Sequence, residues 1–328
     1  MIDGNVPDVR AAAGQLAGRV VRTPVIRSEP VSTQSGCRLW LKAENLQRTG
    51  SFKFRGALLA VDRVAGRGRT GRVITQSSGN HGVAVAMAAR ERGLKATVVL
   101  PFDASPVKVA AIKSYGAEVV QSAASVEESR AVVEELLRAG GDEFIDVRGD
   151  ADVIAGQGTA SLELLEDVPE LDALVVPTAS GCGLAGAVLA AEAARRELAI
   201  YGAEPVGCGS LARSLEAGER VRVQPTPGIA EALTAKCPGE VPFQIFRDSV
   251  AGAVTVDDAA VARAFELALF EAKLLLEPSG AVALAAAMGP ALAGRYRDIG
   301  VILTGGNVPA EVVADLVQAS LRGETSGG

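Results

Sequence analysis

From about residue 72 onward the chain alternates between short β-branched runs and alanine-rich stretches of helical period. Strands are expected at 72–75, 96–100, 117–121, 143–146, 173–177, 199–203 and 301–304, with helices at 80–92, 106–115 (opened by Pro106), 125–139, 152–165 and 184–196 between them. Strand and helix in strict turn mean mostly parallel sheets with helices on both faces, an open α/β architecture. The runs at 173–177 and 301–304 are almost wholly apolar, as central strands buried on both sides should be. In such sheets ligands sit at the carboxyl ends of strands, so the residues that follow each strand matter most.

Three of those junctions are rich in glycine. They read Gln76-Ser77-Ser78-Gly79-Asn80-His81-Gly82, Ser180-Gly181-Cys182-Gly183-Leu184 and Thr304-Gly305-Gly306-Asn307. Each turns backbone N–H groups toward one side of a sheet, and the first two also lead into helix N-termini, the arrangement that holds anions. The chain carries 37 glycines without a collagen-like period or low-complexity tract, so they are expected in tight turns and ligand loops.

A fourth segment, Thr49-Gly50-Ser51-Phe52-Lys53-Phe54-Arg55-Gly56-Ala57, contains one of only seven lysines. Flanking aromatics would desolvate Lys53, lower its pKa and make it a nucleophile for a carbonyl; a solvated lysine at a helix start is the plain alternative. Other chemistries are thinner. The single histidine, His81, rules out a two-histidine zinc motif and leaves a serine triad only one possible base. Thirty-three basic against 39 acidic residues, with no long basic run, argue against nucleic acid as a partner. Cys37, Cys182, Cys208 and Cys237 show no C-x-x-C spacing, which fits reduced thiols, and Cys182 reads as a small packing residue. The start carries no basic-then-apolar leader and no stretch reaches about 18 apolar residues. A cytoplasmic protein, off the membrane, is the expectation.

Together, in their order and spacing, the four segments resemble the pyridoxal-phosphate enzymes of fold type II, in the branch of threonine dehydratase (threonine ammonia-lyase) and serine racemase. Arg22-Thr23-Pro24, Leu41-Lys42-Ala43-Glu44-Asn45-Leu46-Gln47, Val153-Ile154-Ala155-Gly156-Gln157-Gly158-Thr159 and Leu276-Glu277-Pro278-Ser279-Gly280 extend the resemblance over roughly residues 8 to 320. It implies a two-lobed, tryptophan-synthase-β-like fold. A small lobe, 72–149, is inserted into a large cofactor-binding lobe of 1–71 plus 150–322, and 323–328 is a tail. It also implies a homodimer, and because only one helix and the tail follow Asn307, no C-terminal effector-binding domain is expected.

The resemblance implies residue roles as well. Lys53 holds pyridoxal phosphate as a Schiff base and then removes the Cα proton of the substrate. Ser180, Gly181, Cys182, Gly183 and Leu184 cradle the phosphate, Asn80 meets the phenolic oxygen, Phe52 packs near the ring and Thr304 meets the pyridine nitrogen. Ser77, Ser78, Gly79, Asn80 and His81 receive the substrate carboxylate. A hydroxyl at the ring nitrogen makes a milder electron sink than a carboxylate would allow, favouring β-elimination over transamination. The implied reaction converts a β-hydroxy-α-amino acid of the threonine, serine or 3-hydroxyaspartate type to a 2-oxo acid and ammonia. Ser78, opposite the lysine, would return a proton in a racemase.

Departures from the family pattern carry information. Relatives often build a divalent-cation site from the acid equivalent to Glu204 and a second acid where this chain has Ser210, so no metal is expected. Arg148 stands where relatives read His-Pro-aromatic or His-Pro-Asn, and could receive an anionic substrate side chain; pairing with Asp146 or Asp150 on the surface is the alternative. Ile229-Ala230-Glu231-Ala232 also differs from the family, leaving the substrate open. Two other activities compete. β-Replacement of the cysteine-synthase type uses the same sheet and lysine. Gly181-Cys182-Gly183-Leu184-Ala185-Gly186 formally matches the nicotinamide-dinucleotide fingerprint of a dehydrogenase, with Glu204 about 20 residues on.

Overall fold

The computed structural model describes residues 8–68, 71–77, 79–102, 104, 106–122, 126–138 and 140–322; Ser78 and the tail 323–328 lie outside the described residues. The chain runs through α1 (Val9–Leu16), β1 (Val25–Arg27), α2 (Glu29–Ser35), β2 (Arg38–Ala43) and α3 (Lys53–Gly66). Next come β3 (Val73–Gln76), α4 (Asn80–Glu91), β4 (Ala96–Pro101), α5 (Pro106–Ser114), β5 (Glu118–Ser122), α6 (Val126–Arg138) and β6 (Glu143–Phe144). It continues through α7 (Ala151–Asp167), β7 (Ala173–Pro177), α8 (Cys182–Ala194), β8 (Ala199–Pro205), α9 (Ser210–Ala217) and α10 (Glu240–Phe246). The last elements are β9 (Gly252–Val256), α11 (Asp258–Phe270), α12 (Pro278–Met288), β10 (Asp298–Leu303) and α13 (Ala310–Leu321).

The strands form two sheets. One is six-stranded in the order β1-β2-β10-β7-β8-β9, parallel except for β1; the other is four-stranded and parallel, β5-β4-β3-β6. The two runs expected at the centre are there, since β7 and β10 are neighbours and every residue of both is buried. Their side chains alternate between two cores. Leu174, Val176 and Ile302 join the helices α3, α7 and α8 on one face, while Val175, Val301 and Leu303 join α11 and α12 on the other. The four-stranded sheet is covered likewise, by α4 against Val98 and by α6 through Val133 against Ile74 and Val99.

Three helices of the larger unit meet at glycines. A Cβ on Gly156 of α7 would lie 2.5 Å from Cα of Gly56 in α3, and one on Gly186 of α8 would lie 2.6 Å from the backbone nitrogen of Gly158 in α7. Nothing larger than hydrogen fits at such a crossing. Gly186, the third glycine of the dinucleotide-like pattern, is therefore a helix-packing residue inside α8. Among the described residues no helix is long and apolar enough to cross a membrane.

Candidate active site

Lys53 is the first residue of α3, placed by contacts between the chain before it and the end of β10. The Phe52 N–H donates to the Thr304 carbonyl at 3.0 Å, Gly306 N–H donates to Gly50 O at 2.9 Å, and Ser51 pairs with Gly305 as an isolated bridge. Behind the first turn of α3 lies a buried charge cluster. Arg55 pairs with Glu44 and Glu163, each at 2.7 Å, Lys42 pairs with Glu163 at 2.6 Å, and the Thr23 hydroxyl donates to Glu44 at 2.5 Å. Residues quoted above from three separate motifs thus converge on one helix start. Burial alone would lower the Arg55 guanidinium, but Glu44 and Glu163 reverse this and hold it above its ordinary value.

A cavity of about 470 Å³, its mouth included, opens above Lys53 and is lined by Phe52, Asn80, Ser180, Gly181, Cys182, Gly183, Glu277 and Thr304 among others. The Lys53 ammonium sits 4.8 Å from the centre of the Phe52 ring, and burial lowers its pKa, with Cys182 and Glu277 opposing. On the opposite wall, α8 begins at Cys182, two residues earlier than its expected start. Gly181 is the reason: it caps the helix with φ of 96°, and a Cβ there would stand 2.6 Å from the Phe246 ring. The first α8 backbone bond runs from Ala185 N–H to Gly181 O at 2.8 Å. Among the described residues no acceptor meets the N–H groups of Cys182, Gly183 and Leu184, which point out of the helix start as helix geometry requires.

These residues fit the cofactor that the resemblance implies. The open N–H groups at the start of α8 suit a phosphate, the Phe52 ring lies against Gly183, whose Cβ position is 3.0 Å from it, and Lys53 offers an amine of lowered proton affinity. The buried Thr304 hydroxyl lines the same cavity and makes no hydrogen bond to a described residue.

Asn80, the first residue of α4, also lines the cavity. Its Nδ2 donates to Glu277, and its Oδ1 accepts from Asn307 Nδ2 at 2.9 Å. Glu277 stands immediately before Pro278 at the start of α12. Sequence reasoning quoted it within a motif but gave it no role, although an acid just ahead of a helix-opening proline was a usable signal. Burial raises its pKa, against Lys108 and Asn80.

Other expected site residues fall around this centre. Ser77, Gly79 and His81 flank the cavity on the β3–α4 turn, where the Ser77 hydroxyl accepts from Gly79 N–H at 3.2 Å. His81 is buried, its ring nitrogens make no well-formed hydrogen bond among the described residues, and burial together with the Lys53 charge pushes it down to about 3 against a weaker opposing contact with the Ile145 backbone. It is neutral at working pH. The Leu184 side chain is buried beneath the loop and reaches the site only through its backbone. Cys182 Sγ donates to Val147 O at 3.2 Å, and burial pushes the thiol up to about 12, so it is no nucleophile. Ala232, from the segment that departs from the family, and Leu233 after it line the cavity.

Arg148 does not line that cavity. It borders a neighbouring cleft with Arg130, Arg220 and Arg222, on the far side of Val147 from the phosphate loop. Nor does its guanidinium pair with Asp146 or Asp150. Asp146 accepts from the Arg148 backbone N–H at 2.9 Å, Asp150 caps α7 and pairs with Arg63 at 2.6 Å, and Arg148 makes no ion pair among the described residues. At the position where relatives often build a cation site, the Glu204 carboxylate accepts from the N–H groups of Leu211 and Ala212 at 3.0 and 2.8 Å.

Comparison with known proteins agrees with this geometry. Residues 16–305 match the family described as pyridoxal-phosphate dependent enzyme. Over 311 residues the chain is 38% identical to an L-threo-3-hydroxyaspartate ammonia-lyase of a Pseudomonas species, covering 95% of this chain and 98% of that one. An enzyme of the same name from Saccharomyces cerevisiae is 35% identical over 325 residues, covering 99% and 100%. The solved structure of maize serine racemase superposes with a TM-score of 0.91 at 35% identity, covering 98% and 99%. A buried lysine and an open helix start that line one cavity, together with these matches, lead to one conclusion: the chain belongs to the pyridoxal-phosphate dependent enzymes.

Proposed function

We propose that the chain is an ammonia-lyase that eliminates the β-hydroxyl of a β-hydroxy-α-amino acid and releases a 2-oxo acid and ammonia. One observation carries this reading: the two polar groups beside Lys53 divide the work. The Glu277 carboxylate is engaged by Asn80 and by Lys108, at 3.6 Å, whereas the Thr304 hydroxyl is free. A neutral hydroxyl is then the group that meets the ring nitrogen, the setting for prompt loss of a β-substituent.

Bound pyridoxal phosphate supplies an electrophilic carbon for the substrate amine and a ring that stores the electron pair left on Cα. The N–H groups at the start of α8 would hold the phosphate, the Phe52 ring would pack beside the pyridine, and Asn80 would keep one amide N–H for the phenolic oxygen. Backbone N–H groups of the Ser77–His81 turn orient the substrate carboxylate. Lys53 Nζ would take the Cα proton and deliver a proton to the departing hydroxyl, which leaves as water. The product enamine hydrolyses outside to the 2-oxo acid and ammonia. The unit 72–149 closing on 1–71 plus 150–322 would exclude water from the site. A homodimer in the cytoplasm belongs to the same proposal, and light scattering checks the dimer.

Within this class we favour a dicarboxylic substrate of the 3-hydroxyaspartate type. Two relatives with full-length similarity carry that name, and Arg148, which makes no ion pair among the described residues, follows Val147, whose carbonyl accepts from Ser180 and Cys182 of the phosphate loop. The test is a panel of L-threo-3-hydroxyaspartate, threonine and serine with 2-oxo acid detection, repeated on Arg148→Ala. A preference for the dicarboxylate of about tenfold or more, lost in the variant, supports the assignment. An unchanged order of preference removes Arg148 from it, and the absence of 2-oxo acid from every substrate overturns the lyase reading.

A further inference from the structure

Lys108 and Glu277 come from different sheet units and meet at the site. Lys108 belongs to α5, beside the four-stranded sheet, and Glu277 opens α12, against the six-stranded sheet. Their charged atoms are 3.6 Å apart, with side-chain exposures of only 16% and 7%. Lys108 Nζ stands over the substrate turn, 4.0 Å from where a Cβ on Gly79 would lie. The contacts then cross between the units twice more, and a last one stays within the larger unit. Glu277 accepts from Asn80 of α4; Asn80 accepts from Asn307, which follows β10; Asn307 also donates to the carbonyl of Thr49 at 2.8 Å, four residues before Lys53.

We propose that Lys108 and Glu277 are positioning residues, an ionic clasp that sets Asn80 and the Ser77–Asn80 turn against Lys53 when the two units are closed. The geometry assigns each charge a task. Ionised Glu277 accepts from Asn80 with one oxygen and faces Lys108 with the other, which orients the Asn80 amide so that its second N–H points to the cofactor. Lys108 offsets the cost of burying that carboxylate and ties it to the turn that takes the substrate carboxylate. Opening the units separates the pair, so the clasp favours the closed arrangement. Neither residue touches the reacting atoms. The role in catalysis rests on the proposed elimination, whereas the effect on Asn80 and the bound cofactor does not.

The holoenzyme with Lys108→Met, Lys108→Arg, Glu277→Gln and the Met/Gln double variant tests this. Three readings are taken on each: the absorbance and fluorescence of the bound cofactor, KM and kcat for 2-oxo acid formation, and the thermal midpoint. Lys108→Met is expected to shift the cofactor emission and raise KM about tenfold, Lys108→Arg to restore both, and the double variant to be no worse than the poorer single change. A Lys108→Met enzyme with wild-type emission and KM, or one altered only in thermal midpoint, overturns the clasp. Should that variant not fold, Lys108→Arg decides: wild-type emission and KM support the pair, and loss of both refutes a role carried by charge. If no substrate yields a 2-oxo acid, the lyase reading falls while the emission still judges the clasp.

Discussion

Gly158 of α7 and Gly186 of α8 meet backbone to backbone, so that a Cβ on Gly186 would lie 2.6 Å from the Gly158 nitrogen and 2.7 Å from its Cα. Through this contact α8 holds its N-terminus, with Gly181 to Leu184, in line with α7. Gly186→Ala must push the two helices apart. A loss of about 1–3 kcal/mol in unfolding free energy is expected, with weaker cofactor binding because the cradle shifts. Denaturant unfolding of the apoprotein and titration with pyridoxal phosphate measure the two effects; wild-type values for both would contradict the account.

Removing the amine of Lys53 should abolish 2-oxo acid formation and the absorbance band near about 410 nm that lysine-linked pyridoxal phosphate gives. Its effect on the apoprotein has the opposite sign. Burial lowers the pKa of Lys53 from its ordinary 10.5, so its contribution to stability is present above 10.5 and lost as pH falls through the folded value. At pH 7 the wild-type apoprotein therefore carries a burial cost that Lys53→Met removes. The thermal midpoint of apo Lys53→Met is expected to equal or exceed that of the wild type at pH 7, with the difference shrinking as pH approaches 10.5. A clear drop at pH 7 would show that Lys53 supports the fold.

Glu204 bears on metal dependence. Its carboxylate is buried at the start of α9 and accepts from the N–H groups of Leu211 and Ala212; burial raises its pKa and those donors oppose the rise. A cation there would compete with a helix N-terminus for the same two oxygens, with Ser210 in place of a second acid. Activity of the holoenzyme should be unchanged by a chelator and altered less than about twofold by Mg²⁺. Tenfold activation would show that a cation displaces the helix contact.

Ser78 is the residue that the family resemblance proposes as proton donor for racemisation. Adding L-serine and following D-serine by chiral chromatography gives the racemase rate beside the 2-oxo acid rate. Ser78→Ala should remove D-serine formation while leaving elimination within about threefold. Equal loss of both would assign Ser78 to substrate binding alone.

Where strand and helix alternate with simple periodicity, the fold could be read from composition. The run 173–177 became β7 with those bounds, and 80–92 became α4 within one residue. The reading was silent where charge or brevity masks a strand. β1 has three residues, and β2 carries Arg38 and Lys42, the latter fully buried because Glu163 and the Thr23 carbonyl engage its ammonium. Motifs located Lys53, Asn80, the Ser180–Leu184 loop and Thr304 because each follows a strand or opens a helix. They marked Glu277 only as an acid ahead of a helix-opening proline, because its significance lies in two partners about 170 and 200 residues away in sequence. Arg148 was legible as a departure, but its cleft depends on how 146–150 pack against Gly239, which no local pattern encodes.

The glycine column through α3, α7 and α8 has a consequence for how such an enzyme could diversify. Gly56, Gly156, Gly158 and Gly186 lock the helix that starts with Lys53 to the helix that starts with the anion cradle, leaving no slack between them. The reacting amine and the cofactor anchor behave as one fixed jig. Adjustment to the size and charge of a new substrate is then left to the facing side, the β3–α4 turn and Lys108. Changes there could retune selectivity over many generations without disturbing the chemistry, because they touch a part that is clasped to the jig rather than cast with it.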